Sequence, residues 1–415
     1  MTVEMKKYKL GDIAKIYDGP HATPKKIDQG PIYLGINAVT EDCRIDPNGL
    51  AFLSEEDYKV WTKRVTPQHK DIVFSYEATL GRYAIIPENF YGCLGRRLGI
   101  VRVVDSKVNY EWLFYYFQSP QWKSFIKNHT IKGSTVDRIS VEEMPNYEIP
   151  AIDINKQNRI ALVLSTLDKR IENLRAQNRV LEQTAKTIYD YTFLQCAGHQ
   201  TTYNKILNRN IPINWEVCSI GDYVKDTKGG DWGKEEPKKN YNLQVSCIRG
   251  ADIDKMTNLP IRYILAKNTS KLLQEFDLVV EISGGSPTQS TGRSRLITKE
   301  LLEKFDNKLI CSNFCQAVTM KNPLYAYYFC FMWKMFYDNG TFFNFEGKTS
   351  GIKNFQLDQF LDTMWFFPDL QTVKNFNAQV SPLIQKQLLN AKQIETLTTQ
   401  RNTLLPLLMT SQIEV

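Results

Sequence analysis

Two stretches of the chain repeat apolar residues with the alternating spacing of four and three residues that is typical of a long amphipathic helix. The first starts at Ile160 and keeps this heptad pattern for about four heptads, with Asn178 as its single polar position. The second extends from Phe376 to Leu408 and has more polar positions. Because each apolar stripe needs a partner, we expect the two helices to pack on each other as an antiparallel coiled coil. The predicted seam residues are Leu164, Leu167, Ile171, Leu174, Asn178, Leu181 and Ile188 in the first helix and Leu383, Ile394, Leu397 and Leu404 in the second.

Two serines at equivalent places predict where these helices begin. Ser165 is followed by Asp168 at the third helical position, and Ser381 precedes Pro382 at the first, so both serines are typical N-caps. A first helix that ends near Phe193 would then have about 28 residues and a length of about 42 Å. At about 3.4 Å per base pair this length equals about twelve base pairs of DNA, which is close to one duplex turn. A coiled-coil spacer between two unrelated binding domains is the alternative interpretation.

Outside the two helices, short β-branched runs alternate with turn residues, and aromatic segments follow them. This mixture predicts an α/β-mixed fold without the regular βαβ order of a doubly wound sheet. The predicted strands are Asp71–Ser75, Tyr83–Ile86, Leu98–Val104 and Leu278–Ile282. The predicted aromatic helices, whose stripes should face a core, are Trp112–Phe125 and Leu324–Phe336.

The order of short motifs indicates that the chain is an internal duplication with a period of roughly 210 residues. The matched segments are Leu10-Gly11-Asp12 with Ile220-Gly221-Asp222, Asp71-Ile72-Val73 with Asp277-Leu278-Val279, Gly81-Arg82 with Gly292-Arg293, Tyr115-Tyr116-Phe117 with Tyr327-Tyr328-Phe329, and Pro150-Ala151-Ile152 with Pro368-Asp369-Leu370. Their order is the same in both copies. We therefore divide the chain into a first globular domain (1–152), a first helical region (153–198), a second globular domain (199–370) and a second helical region (371–415).

The amino-acid composition restricts the class of protein and the partners that the chain can have. The chain has 415 residues, of which 42% are hydrophobic and 23% charged, and this is ordinary globular composition. Lysine and arginine exceed aspartate and glutamate by 52 to 45, a net charge of +7 that leans toward polyanionic partners. The sequence shows neither a signal peptide nor an apolar segment of about 20 residues, so we expect a cytoplasmic protein without membrane contact.

Three near-matches to catalytic motifs fail on spacing or composition. Asn322-Pro323-Leu324-Tyr325 lacks the second proline of the amino-methyltransferase motif, and Gly347-Lys348-Thr349 lacks a correctly placed upstream glycine for a phosphate-binding loop. Glu346, Lys348 and Asp338 could imitate a nuclease site, but such triplets are common by chance. The eight cysteines form no C-x-x-C pair, so we expect no metal site. The sequence therefore predicts no catalytic residues.

Basic and small hydroxyl residues lie near glycines in both copies, as is typical of loops that contact phosphates, and arginines can read guanine. The candidate DNA contacts of the first copy are Lys25, Lys26, Arg82, Arg96, Arg97, Lys132, Ser134, Thr135 and Arg138. Those of the second copy are Lys228, Lys234, Lys238, Lys239, Arg249, Arg293, Arg295, Lys348 and Lys353.

The ordered motifs resemble, over the whole chain, the specificity subunit of type I restriction–modification enzymes. The resemblance rests on the paired motifs above, followed by Gly133-Ser134-Thr135-Val136 or Thr349-Ser350-Gly351-Ile352, and then by Ile149-Pro150 or Phe367-Pro368 before each long helix. The family usually opens the helical region with Glu-Gln, whereas this chain has Lys156-Gln157 and Lys374-Asn375.

The resemblance implies a non-catalytic subunit in which two similar target-recognition domains are separated by an antiparallel coiled coil with approximate two-fold symmetry. Each domain would read one half of a split sequence in double-stranded DNA, and the helices would set the unread spacer. The implied partners are DNA adenine methyltransferase subunits and ATP-driven restriction and translocase subunits. S-adenosylmethionine, ATP and Mg would be bound by those partners, and no cofactor would be bound by this chain.

Two other functions are compatible with the sequence. A stand-alone DNA-modifying enzyme would methylate or cleave DNA without partners. A coiled-coil adaptor would bind proteins and show no preference among DNA sequences.

Overall fold

The computed structural model describes residues 6–284, 286, 288–349 and 352–414, without the side chains of residues 348, 349 and 352. The chain forms two compact units. The first unit comprises the described residues up to Asn173 together with those from Gln393 onward, and the second unit comprises Leu174–Lys392. The limits between the units therefore fall inside the two long helices.

The strands and helices follow one another along the chain in a mixed order. The strands are β1 (Lys7–Lys9), β2 (Ala14–Asp18), β3 (Ile27–Leu34), β4 (Ala51–Phe52), β5 (Ile72–Ser75), β6 (Tyr83–Ile85), β7 (Gly92–Leu94), β8 (Leu98–Val103), β9 (Glu148–Pro150), β10 (Thr201–Asn204), β11 (Arg209–Pro212), β12 (Glu216–Ser219), β13 (Val224–Gly229), β14 (Tyr241–Ile248), β15 (Ile261–Leu265), β16 (Leu278–Glu281), β17 (Ser283–Gly284), β18 (Ser294–Leu296), β19 (Leu309–Cys311), β20 (Cys315–Met320), β21 (Glu346–Thr349), β22 (Ile352–Phe355) and β23 (Met364–Phe367). The helices are α1 (Leu10–Ile13), α2 (Glu55–Trp61), α3 (Tyr110–Tyr116), α4 (Pro120–Asn128), α5 (Ile154–Tyr189), α6 (Lys299–Lys304), α7 (Ala326–Asp338), α8 (Leu357–Leu361) and α9 (Leu370–Met409).

In the first unit, a four-stranded sheet has the order β2-β8-β5-β6, and a three-stranded sheet has the order β4-β3-β7. The pairing of β3 with β7 is parallel, and β1 pairs with β9. Side chains of β5, α3 and α4 form a core that includes Phe74, Trp112 and Trp122, all of them at most 2% exposed. These aromatic side chains face the core, as the sequence predicts.

The second unit repeats this topology. Its four-stranded sheet has the order β13-β20-β16-β18, its three-stranded sheet has the order β15-β14-β19 with a parallel β14–β19 pair, and β12 pairs with β23. Strand register also matches, because Ile72 lies opposite Val101 in the first unit and Leu278 lies opposite Val318 in the second. The shared strand order and register support the internal duplication.

The predicted helix Trp112–Phe125 is wrong as one element, because it is split into α3 and α4. Ser119 caps α4 by accepting a hydrogen bond from the Trp122 amide at 3.2 Å, and Pro120 occupies the first helical position. Pro120 cannot donate a backbone hydrogen bond to the preceding turn, so the helix breaks there. The predicted strands agree with β5, β6, β8 and β16 to within one residue at each end.

The predicted starts of the long helices at Ser165 and Ser381 are also wrong, because both serines lie inside α5 and α9. Asp153 caps α5 by accepting from the Asn155 amide at 2.9 Å, and Asp369 caps α9 by accepting from the Gln371 amide at 3.0 Å. Pro382 lies in the helix interior, where tertiary packing outweighs its missing donor. Asp153 lies three residues after Pro150, whereas Asp369 directly follows Pro368 within the second motif.

In the first unit, the early part of α5 packs against the late part of α9. Leu164 shares a core with Leu405 and Leu408. Lys156 Nζ donates to Ser411 Oγ at 2.9 Å, and Arg401 pairs with Asp168 at 2.9 Å. Because low residue numbers in α5 meet high numbers in α9, these segments are antiparallel.

In the second unit, the late part of α5 packs against the early part of α9 in the same sense. The Tyr189 and Phe376 rings lie 6.1 Å apart in a core that includes Val373. Asn178 lies opposite Asn390, whose Nδ2 donates to Asn178 Oδ1 at 2.9 Å. Every predicted seam residue is buried or half-buried. In the described part of the chain, no helix combines the length and apolar character needed to cross a bilayer.

Candidate nucleic-acid interface

Each unit presents one short loop with the same backbone anchoring. In the first unit this loop, 95–97, joins β7 to β8, and in the second unit the loop 312–314 joins β19 to β20. We call these the β-connection loops. The Gly95 amide donates to the Leu34 carbonyl at 2.7 Å, and the Ser312 amide donates to the Ile248 carbonyl at 2.8 Å. The duplicated scaffold therefore holds both loops in the same way.

A groove of about 270 Å³ lies beside the first β-connection loop. Lys26, Arg96 and Arg97 line it together with the Tyr33 ring and the Asn37 amide. Three of the predicted DNA contacts are thus brought together on one concave surface. Cationic groups beside hydrogen-bonding groups suit a polyanion whose bases also offer donors and acceptors.

The lysine-bearing segments of both units start from a glycine that packs against the β-connection loop. A Cβ atom on Gly19 would lie 2.6 Å from the Leu98 carbonyl oxygen, and one on Gly230 would lie 2.0 Å from the Ser312 carbonyl oxygen. Only glycine fits at such close approaches. The segment after Gly19 carries Lys25 and Lys26, and the segment after Gly230 carries a corresponding group of lysines.

Several of the predicted contacts are exposed cations whose ammonium or guanidinium group makes no ion pair among the described residues. They are Lys25, Lys26, Arg96, Lys132, Arg138, Lys234, Lys238 and Lys239. The hydroxyl residues Ser134 and Thr135 are exposed beside Lys132. These residues remain candidates for contact with phosphates and bases.

In the second unit, the side chains of Arg293 and Lys228 form ion pairs with buried acidic side chains. Arg293 donates to both carboxylate oxygens of Glu281, at 2.9 and 2.7 Å, and this hydrogen-bonded pair raises the pKa of Arg293. Lys228 donates to Asp277 at 2.8 Å, and its side chain is 16% exposed. A charge held by a buried acid is costly to redirect to DNA. Arg293 and Lys228 therefore stabilise the second unit, and their contact with DNA stays a prediction.

Four further predicted contacts are partly engaged within the protein. Arg82 donates to the Val39 carbonyl at 3.2 Å, and Arg97 pairs with Glu77 at 3.1 Å. Arg249 pairs with Asp252 at 2.7 Å, and Lys353 pairs with Glu346 at 2.8 Å. These side chains fix loops near the candidate surface.

Arg295 and Lys348 are the two remaining predicted DNA contacts. The Arg295 Nε atom is buried without a hydrogen-bond partner among the described residues, and burial lowers the pKa of Arg295. The side chain of Lys348 lies outside the described residues.

The Asp-Ile-Val and Asp-Leu-Val motifs supply structure rather than chemistry. Asp71 is 1% exposed, accepts from Arg102 at 2.7 Å and caps a turn by accepting from the Gln68 amide. Asp277 is fully buried and accepts from the Gln274 amide at 2.8 Å in the same way. In both units, the aspartate directly before the buried strand thus belongs to a buried ion pair.

Glu346 and Asp338, two of the residues that could imitate a nuclease site, make hydrogen bonds and ion pairs within the protein. Glu346 accepts from the Thr291 amide at 2.7 Å besides its pair with Lys353, and Asp338 pairs with Lys334 at 3.7 Å. Among the described residues, no group of three or more histidine, cysteine, aspartate or glutamate side chains is arranged to hold a metal ion.

The sequence of this chain is similar to that of known proteins. Residues 2–183 match the family described as Type I restriction modification DNA specificity domain. The type I restriction enzyme MjaIX specificity subunit of Methanocaldococcus jannaschii is 24% identical over 429 aligned residues, which cover 100% of this chain and 90% of that protein. The MjaVIII specificity subunit of the same organism is 24% identical over 52% of this chain and 48% of its own length.

A solved structure has the same fold. The crystal structure of the type I restriction–modification system S subunit from M. genitalium superposes with a TM-score of 0.58 at 16% identity, covering 98% of this chain and 97% of that one. The full-length relative, the matched domain and the shared fold agree with the duplicated motifs of the sequence. Over its whole length the chain is therefore similar to the specificity subunits of type I restriction–modification systems.

Proposed function

We propose that this chain is a non-catalytic subunit whose two target-recognition domains each read one half of a bipartite DNA sequence. The pair of α5 and α9 would act as an antiparallel coiled coil with approximate two-fold symmetry and would fix the unread spacer. The globular domains would correspond to residues 1–152 and 199–370, and the helical regions to 153–198 and 371–415.

One observation carries this proposal: the same sheet topology occurs twice, and each copy has exposed lysines in a segment that starts beside an equivalently anchored β-connection loop. A duplicated scaffold with differing surface side chains suits two half-sites that have different bases. Such a two-fold arrangement is typical of proteins that bind paired DNA half-sites.

The proposed DNA contacts are the exposed residues of the two surfaces. They are Lys25, Lys26, Arg96, Lys132, Ser134, Thr135 and Arg138 in the first unit and Lys234, Lys238, Lys239 and Arg249 in the second. The lysines and hydroxyl groups would hold phosphates, and these contacts would make binding sensitive to salt. Arg82, Arg97 and Lys353 would support the loops that carry them.

Catalysis would come from partner subunits. DNA adenine methyltransferase subunits would bind S-adenosylmethionine, and restriction and translocase subunits would bind ATP and Mg, so this chain would bind none of these cofactors. The engaged partners of Glu346 and Asp338 support a non-catalytic role. Such a complex would work in the cytoplasm, where its DNA is found.

The test is to express the chain with its methyltransferase subunits and to sequence methylated adenines in the host DNA. The proposal expects a motif of two defined halves separated by an unread spacer of fixed length, and no methylation by the chain alone. Methylation by the purified chain would show a stand-alone enzyme. Absence of any motif with partners present would favour the adaptor function and contradict the proposal.

A further inference from the structure

The two β-connection loops share anchoring hydrogen bonds at both ends but differ in exposed chemistry. Leu94 and Cys311 are equivalent, because Leu94 pairs with Leu34 in the parallel β3–β7 ladder and Cys311 pairs with Ile248 in the β14–β19 ladder. Three residues follow each before the next strand begins. Arg96 and Arg97 of the first loop therefore correspond to Asn313 and Phe314 of the second.

Further hydrogen bonds fix this correspondence at the far end of each loop. The Tyr76 amide donates to the Arg97 carbonyl at 3.1 Å, and the Ile282 amide donates to the Phe314 carbonyl at 2.9 Å. Because both ends are held alike, equivalent loop positions can be compared, although the backbone φ is positive at Arg97 and not at Phe314.

In the first loop, Arg96 is the side chain free to reach a ligand. Arg97 has a left-handed backbone (φ 73°), and its guanidinium pairs with Glu77 at 3.1 Å. Arg96 is exposed at the groove that also contains Lys26, and it has no carboxylate partner among the described residues. Its guanidinium keeps its two-pronged donor face.

In the second loop, the exposed pair is an amide and an aromatic ring. Asn313 is exposed, and Phe314 is 55% exposed although it is a large apolar side chain. Exposing this ring has no benefit for folding, and neither residue is cationic. A surface for phosphate alone would not favour this pair.

We infer that the β-connection loops are the base-reading elements of the two units, with Arg96 selecting guanine in one half-site and Asn313 with Phe314 selecting an A·T pair in the other. Arginine forks onto O6 and N7 of guanine, asparagine pairs with N6 and N7 of adenine, and an aromatic ring packs on the thymine methyl group. This inference rests on the proposed function. It adds which residues of each unit discriminate between bases.

The test uses Arg96→Asn and Asn313→Arg, each expressed with the methyltransferase subunits, and compares the methylated motifs in host DNA with the wild-type motif. Arg96→Asn is expected to lower the preference for guanine at one position of one half-site by roughly tenfold to a hundredfold. Asn313→Arg is expected to shift one position of the other half-site toward guanine. Lys127→Ala removes an exposed cation of α4 that does not line the groove, and it should leave both half-sites unchanged.

Three results would overturn the inference. If Arg96→Asn lowers methylation equally at all sites without changing the bases, Arg96 contacts phosphate and the proposed function still stands. If both loop variants alter the same half-site, the assignment of loops to halves is wrong. If the wild-type complex yields no bipartite motif, the proposed function fails and the loop assignment fails with it.

Discussion

Asp71 and Asp277 show how a repeated motif can serve stability. Both aspartates are buried, both accept a backbone amide three residues upstream, and both pair with a cation, yet the cation is Arg102 in one unit and Lys228 in the other. The aspartate is therefore the same in both units, whereas its cationic partner lies on β8 in the first unit and on β13 in the second. A buried charge left unpaired is strongly destabilising.

We expect Asp71→Ala to lower the free energy of unfolding by about 3–5 kcal/mol, because Arg102 would lose its buried partner. Urea unfolding followed by circular dichroism measures the change. Glu142→Ala, which removes an exposed acid of the same unit, should stay within about 0.5 kcal/mol of wild type. A loss for Asp71→Ala as small as that of Glu142→Ala would show that the pair contributes nothing.

The helix cap Asp369 predicts a pH dependence. Burial alone would raise its pKa, but hydrogen bonds from Thr372 and from the Thr372 and Gln371 amides overcome this, so the pKa of Asp369 lies below its usual value. Its folded pKa is thus lower than its unfolded pKa of about 3.9, and the stabilisation is present above that pH and is lost as the pH falls. Asp369→Asn keeps an N-cap acceptor without the charge. Its melting temperature should therefore fall less steeply than that of wild type below about pH 4, and identical slopes would contradict the role of the carboxylate.

The sequence alone could not show which cationic side chains form ion pairs within the protein and which do not. Lys228 and Asp277 are 49 positions apart and meet only because β13, β20 and β16 are neighbours in one sheet. Arg97 likewise pairs with Glu77, twenty positions away, while the adjacent Arg96 makes no ion pair among the described residues. Residue type and local spacing point to candidate loops, and three-dimensional pairing decides which of their side chains remain available.

Among the elements, the strands and the helix seams could be predicted and the helix starts could not. The heptad pattern of α5 reports burial directly, so Leu164 and Leu174 are buried as expected. Capping signals at Ser165 and Ser381 were misleading, because serine and even proline are accepted inside a helix that is held by packing along its length. The true caps are Asp153, three residues after Pro150, and Asp369, which directly follows Pro368.

Polar residues within the seam specify how the helices pair in the second unit. Asn390 is fully buried, its Nδ2 donates to Asn178, and Gln387 Nε2 donates to the Asn178 carbonyl at 3.1 Å. The amide donors of Asn390 and Gln387 are satisfied when Asn178 lies opposite this part of α9, whereas Asn390 Oδ1 has no hydrogen-bond partner among the described residues. A shifted register would place them against leucine or isoleucine at a cost in unpaired polar groups.

We expect Asn178→Leu to lower the free energy of unfolding by about 1–3 kcal/mol, because the buried Asn390 amide loses its best acceptor. The double variant Asn178→Leu/Asn390→Leu should recover much of this loss by burying two apolar side chains. A double-mutant cycle by urea unfolding measures the coupling. A single variant as stable as wild type would show that the polar pair is not needed for packing.

For the whole chain, the proposed function depends on a repeated scaffold that carries different side chains. Duplicated topology, antiparallel helix segments in each unit and exposed basic surfaces all follow from features that the sequence already contains. In the proposed function, the bases that each unit reads depend on a few loop side chains. The sequence therefore predicts a bipartite DNA target without predicting the base sequence of either half.

The most direct test of this account is the length of the unread spacer after one heptad is inserted at equivalent places in both α5 and α9. Seven residues add about 10.5 Å to a helix, or about three base pairs of duplex DNA. Sequencing of methylated adenines in cells that express either chain with its methyltransferase subunits gives the two motifs. We predict the same two half-sites separated by a spacer that is longer by about three base pairs, and an active variant with an unchanged spacer would contradict the account.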